Sequence, residues 1–226
     1  MKMESKSVSI AIDGPAGAGK STIAKLVAKK LGFIYVDTGA MYRAMAVHFL
    51  RSGIAADEVQ KIEAACDDVS VTIRYVNGEQ QVILNGENVT SLLRTEEVGK
   101  MASASSVVPK VRMKLVELQR QLAATDNVVM DGRDIGTYVL PDAPVKIYMT
   151  AGIRERAIRR FDELNQKGIE CNLEAIEKDI AERDYRDMNR DFAPLRQAED
   201  AVYLDTSKMS IDEVAEEVIR IVASKQ

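Results

Sequence analysis

One histidine, two cysteines and no long apolar run leave several classes of function without their parts. The lone His48 falls on a predicted helix beside Met45 and Val47, where packing or surface placement suits it better than catalysis. Cys66 and Cys171 stand far apart with no second thiol beside either, so a zinc site or a disulfide framework is not expected. Nothing approaches the roughly 18 consecutive apolar residues of a membrane span, and the short apolar run after Met1 to Ser7 has neither the length nor the cleavage site of a signal peptide. A cytoplasmic protein is expected. The net charge of −4 argues against nucleic acid or a membrane as partner and points to a small molecule. The ten methionines are scattered and read as core filler.

What is present begins at Ser7, where a strand, a glycine-rich turn and a helix follow one another to Leu31. Gly14 to Ser21 matches G-x-x-x-x-G-K-S, the phosphate-binding loop of nucleoside triphosphate enzymes. Gly14, Gly17 and Gly19 let backbone N–H groups turn toward phosphate oxygens, and the following helix aims its positive end at the same anion. Lys20 adds a point charge in a solvent-facing anion site, and Ser21 offers a hydroxyl to Mg²⁺ bridging the outer phosphates of ATP.

Downstream, strands alternate with helices. Phe33 to Val36 reads as a strand, with Thr38 capping a helix that runs to about Arg51. Val69 to Val89 carries two Asn-Gly turns, Asn77-Gly78 and Asn85-Gly86, and reads as a small antiparallel meander inserted at about 67–98. Helices are expected at about 95–105, 110–124, 152–166, 173–190 and 211–222, buried strands at 128–131 and 145–149, and a short final strand at 201–204. No repeat, low-complexity tract or linker interrupts the chain. We therefore expect one α/β domain over 1–226, a P-loop NTPase-type doubly wound core (1–66 and 99–226) with ligands at the carboxyl ends of its strands.

A triphosphate site alone does not separate a kinase from a switch, so what else points at the cradle matters. Arg43 lies one turn into the helix after the second strand, and Asp131-Gly132-Arg133-Asp134 follows directly on another strand. Asp131, ending an apolar strand, is the better candidate for a carboxylate that holds Mg²⁺ directly or through water; Asp13 competes with it. On the helix from Leu173, the stripe of Leu173, Ile176 and Ile180 continues as Arg183, Asp187 and Arg190, so charges point inward and need partners, whereas Glu182 and Arg186 suit a surface ion-pair ladder. Arg154, Arg156, Arg159 and Arg160 crowd a helix start, against the helix dipole, and suggest a mobile phosphate-clasping lid at about 152–170. Spacing leaves Arg112 open between surface charge and ligand contact.

IDGPAGAGKST, VDTGAMYR, PKVR, VMDGRDIG, RERAIRR and ERDYRDMNR followed by APL together resemble the bacterial cytidylate kinases, nucleoside monophosphate kinases, over essentially the whole chain. The resemblance implies a five-stranded parallel sheet, a short helical lid and the antiparallel insertion beside the monophosphate site. It places ATP on Gly14, Gly17, Ala18, Gly19, Lys20, Ser21, Thr22 and Arg159, with Mg²⁺ at Ser21 and Asp131. It puts the acceptor phosphate of CMP or dCMP on Arg43 and Arg133, the pyrimidine among Thr38, Arg112, Asp134 and Arg190, and the sugar near Ser103, Arg183 and Asp187. Lys20, Arg133, Arg156 and Arg160 would carry catalysis. Thr38 departs from members with serine there but keeps the hydroxyl. The expected protein is a monomeric kinase converting CMP to CDP; kinases of UMP or of an alcohol, and a P-loop switch lacking any N-K-x-D motif, are the competing readings.

Overall fold

The computed structural model of the protein describes residues 7–225; Met1 to Lys6, on which part of the leader reading rests, lie outside them. Ser9–Asp13 (β1) is followed by Lys20–Leu31 (α1), Ile34–Asp37 (β2) and Thr38–Arg51 (α2). Val59–Ala65 (α3) leads into Val71–Val76 (β3), Glu79–Leu84 (β4) and Glu87–Asn88 (β5). After a 3₁₀ turn at Thr90–Leu92 come Glu96–Ser105 (α4), Pro109–Thr125 (α5) and Val128–Gly132 (β6). A π-helical turn at Ile135–Val139 precedes Val145–Thr150 (β7), Ile153–Gln166 (α6), Leu173–Asn189 (α7), Val202–Asp205 (β8) and Ile211–Ser224 (α8).

Five strands form a wholly parallel sheet in the order β2-β6-β1-β7-β8. Successive side chains along a strand face opposite sides, and the sequence uses both. Ile10, Ile12, Val129, Val145 and Ile147 pack with Ile23, Val27, Val214 and Val218 of α1 and α8. Ala11, Val36, Val128 and Met130 pack with Met41, Met45, Phe49 and Leu115 of α2 and α5 on the other side. Fully covered faces explain why these strands read as unbroken apolar runs. At the carboxyl ends stand Asp13 and Asp37, each the last residue of its strand, and Asp131, the last but one of β6.

β3, β4 and β5 make the expected antiparallel meander, and Asn77 and Asn85 sit in left-handed conformations (φ 54° and 48°) at its turns. The cap of α2 differs from expectation. Asp37 fills it, its Oδ1 accepting from Ala40 N–H at 2.8 Å, while the Thr38 hydroxyl donates instead to the Asp131 carbonyl at 2.7 Å. An aspartate at the strand end reaches the free N–H groups from one residue earlier, which releases Thr38 for the site. His48 is half-buried beside the Phe49 ring, both cysteines are free thiols, and among the described residues no helix is long and apolar enough to cross a membrane.

Candidate functional site

The loop between β1 and α1 is built on left-handed glycines. Gly14, Gly17 and Gly19 all have positive φ, and a Cβ on Gly14 would stand 1.9 Å from the Met149 carbonyl oxygen, so only glycine fits where β1 leaves the sheet. The start of α1 has no side-chain cap and no acidic residue in its first turn, leaving its N–H groups for a ligand. Lys20 is not solvent-facing as the sequence suggested. It is buried, its ammonium donates to the Pro15 carbonyl at 2.7 Å, and burial followed by the nearby Arg133 charge lowers its pKa. Ala18 is buried and Thr22 exposed.

Of the two carboxylates considered for a metal, Asp13 is fully engaged: its oxygens accept from Ile135 and Gly136 N–H at 2.8 and 2.7 Å, and burial raises its pKa to about 6. It fastens the π-helical turn to β1. Asp131 accepts from the Ser21 hydroxyl at 2.9 Å and from the Tyr35 hydroxyl at 3.0 Å, with its pKa raised by burial and then by Asp37. A buried carboxylate beside the P-loop hydroxyl suits a cation that takes most of its oxygen ligands from phosphates and water, as Mg²⁺ does. No cluster of three or more metal-ligating side chains exists among the described residues, so the protein would supply only these two groups.

On the acceptor side the charges form a chain. Arg112 donates to Asp134 Oδ2, Arg190 to Asp134 Oδ1 at 3.3 Å, and Arg190 lies 3.8 Å from Asp187, whose other oxygen accepts from Arg133 Nε at 2.7 Å. Arg112 is 1 % exposed and stacks over Tyr42 at 5.3 Å, so the surface alternative for it falls. Arg190 is held further by the carbonyl of Ala193 at 2.8 Å, a residue in the left-handed conformation (φ 48°). Arg183 forms no ion pair or hydrogen bond with any described residue, and burial, then Arg133, lowers its pKa to about 10. Two buried donors also lack acceptors, the Nε atoms of Arg43 and Arg112. Buried N–H groups without partners are costly unless a ligand supplies them. Next to Arg190 a cavity of about 780 Å³ opens between α7 and the turn joining α4 to α5.

The basic helix departs most from expectation. Arg156 is no free lid arginine: it is 3 % exposed, donates to the Ala16 and Ala151 carbonyls at 2.7 and 2.8 Å, and pairs with Asp184 at 2.6 Å. Arg159 reaches the Thr206 carbonyl at 2.6 Å and lies 3.5 Å from the Ala18 carbonyl. Arg160 is half-exposed and pairs with Glu163 one turn on, not with the cradle. Of the expected surface ladder, Glu182 pairs with Lys178 one turn earlier at 3.8 Å, whereas Arg186 leaves it and donates to the Ser103 hydroxyl at 2.5 Å across to α4. Asp184, which sequence reading missed, also accepts from Ala16 N–H at 3.1 Å. Its signal was there: it lies four residues after Ile180 on the inward stripe.

The model of the family described as cytidylate kinase matches residues 10–224. A cytidylate kinase of Caldicellulosiruptor saccharolyticus is 51% identical over 96% of this chain and 96% of its own. One from Ligilactobacillus salivarius is 48% identical over 97% of this chain and 98% of its own. Among solved structures, an uncharacterized protein from Eubacterium ventriosum superposes with a TM-score of 0.52 at 13% identity, over 97% of this chain and 99% of that one, a likeness of fold alone.

Proposed function

This chain belongs to the cytidylate kinase family, and from that membership we infer that it transfers the γ-phosphoryl group of ATP to CMP, giving ADP and CDP. The single observation that supports this reading most is the buried ion-pair chain Arg112–Asp134–Arg190–Asp187–Arg133, which links α5, the loop after β6 and the end of α7 and finishes at Arg133 near Lys20. The acceptor oxygen already belongs to an ionised phosphate, so no general base is needed and a single half-buried histidine is no obstacle. Positioning and charge neutralisation remain for the protein to supply.

In this reading the P-loop backbone and Lys20 hold the donor phosphates, with Arg159 beside Ala18. Ser21 and Asp131 would hold Mg²⁺, which when bound neutralises charge developing between the transferred and leaving phosphates. Arg43 and Arg133 receive the acceptor phosphate, and Ser103, Arg183 and Asp187 the sugar of CMP or dCMP. Arg156 serves through the loop it fastens. The base edge follows from which protons are already committed. The Thr38 hydroxyl spends its proton on the Asp131 carbonyl, so it faces a ligand as an acceptor, as does the Asp134 carboxylate that takes hydrogen bonds from Arg112 and Arg190. Arg112 offers only donors. Cytosine, with an N4 amino donor and acceptors at N3 and O2, matches that pattern, whereas uracil reverses it at O4 and N3.

A panel of CMP, dCMP, UMP and simple alcohols in an ADP-release assay tests this. We expect kcat/KM for CMP to exceed that for UMP by about tenfold to a hundredfold, from one or two base contacts. Equal efficiency with UMP removes the base assignment, and ATP hydrolysis without acceptor at the full turnover rate removes the kinase reading.

A further inference from the structure

The antiparallel insertion touches the acceptor side through one carboxylate. Asp37 Oδ2 receives two guanidiniums, Arg43 Nη2 at 3.3 Å and Arg94 Nη2 at 3.1 Å. Arg43 comes from α2; Arg94 follows the 3₁₀ turn that closes the insertion, and nothing in the helical or strand spacing connects the two. The insertion also grips the same residue's backbone, since Gln80 of β4 accepts from Asp37 N–H at 2.9 Å and donates to its carbonyl at 3.2 Å. Asp37 is thereby fixed in place between two guanidiniums, with Asp131 as the further carboxylate that both it and Arg43 feel.

This arrangement is poor as a structural device. Arg94 is 68% exposed, and a guanidinium so exposed to water adds little stability by pairing. Bringing a second guanidinium to an oxygen already paired with Arg43 adds like-charge repulsion, which contributes to lowering the Arg43 pKa after burial has done so. Arg43, its side chain 16% exposed, meanwhile keeps its buried Nε without an acceptor. A dianion entering between the two guanidiniums relieves both faults, because its oxygens can accept from each while Asp37 continues to orient them.

We propose that Arg94 binds the acceptor phosphate together with Arg43, and that carrying this guanidinium to the site is a function of the insertion. The proposal rests on CMP being the acceptor. Arg94 lies on the surface, so Arg94→Gln and Arg94→Lys should fold as the parent does, which thermal melts verify. In Arg94→Gln the KM for CMP should rise about tenfold, with Arg94→Lys recovering part of it. The KM for ATP and the inhibition constant of cytidine, which has the base and sugar but no phosphate, should stay within about twofold of wild type. A KM for CMP within about twofold of wild type, or cytidine weakened as much as CMP, overturns the proposal. Wild-type turnover of CMP in the same assay separates the two readings: its absence removes the acceptor assignment, whereas normal wild-type turnover with an unaffected Arg94→Gln removes only the role of Arg94.

Discussion

Lys20 is a buried cation that forms no ion pair with any described residue, although Asp131 and Asp13 stand near enough to oppose the lowering of its pKa. Its ammonium has exchanged water for one carbonyl, and burial together with Arg133 has lowered its pKa. Triphosphate binding replaces that surrounding with anionic oxygens, which favours the protonated form, so the ligand-free lysine holds fewer protons than the liganded one. ATP binding should therefore take up protons at about pH 8.5, below the ordinary lysine range and above the phosphate pKa. Calorimetry in two buffers of different ionisation enthalpy measures this; an apparent enthalpy independent of buffer removes the argument. Lys20→Ala should melt no lower than wild type, since it deletes a poorly solvated charge. Its kcat should fall by about a hundredfold or more, because the charge matters most when negative charge shifts between phosphates.

Helix α7 carries contacts to both halves of the site. Asp184 holds Ala16 N–H and Arg156, one turn later Asp187 holds Arg133, and beyond the helix end Arg190 holds Asp134. α6 is bolted to the same loop by Arg156, so the two helices and the P-loop backbone meet at Ala16. Losing one member of a buried pair strands the other, and Asp184→Asn should destabilise by about 3 kcal/mol even though its amide oxygen can still accept from Ala16. The KM for ATP should rise with it, as the loop loses its brace. A double-mutant cycle with Arg156→Met by urea unfolding should give a coupling above about 1 kcal/mol. Additive losses would mean that the two side chains do not act as a bolt.

Across the whole molecule, Lys20, Arg43 and Arg183 collect in a protein whose net charge is −4. At the sheet's carboxyl edge these cations stand among Asp13, Asp37 and Asp131, and of the three cations only Arg43 is ion-paired with a described residue. A small polyanion should stabilise the ligand-free protein by binding only the folded state, adding RT ln(1 + [L]/Kd). Millimolar pyrophosphate should raise Tm above that in sodium chloride of matched ionic strength, and the increment should vanish in Lys20→Ala. Equal melting in both salts would show that these cations do not form one anion site.

The sequence by itself determined the P-loop, the doubly wound order and the meander, because each rests on neighbours along the chain: glycines at fixed offsets, apolar runs of strand length, Asn-Gly at turns. It also placed Arg43, Arg133, Asp134 and Asp187 at strand ends or on an inward stripe, where topology alone draws residues together. Only the tertiary structure decided who pairs with whom. Asp37 takes the α2 cap from Thr38, Asp184 claims Arg156 from an expected lid, and Arg94 arrives at Arg43 from 51 residues downstream. These are ion pairs and hydrogen bonds between segments remote in sequence. Local periodicity carries no term for them: which buried charge finds which partner depends on how close the folded backbone brings them, and the penalty for an unpaired one is set only once water has been excluded.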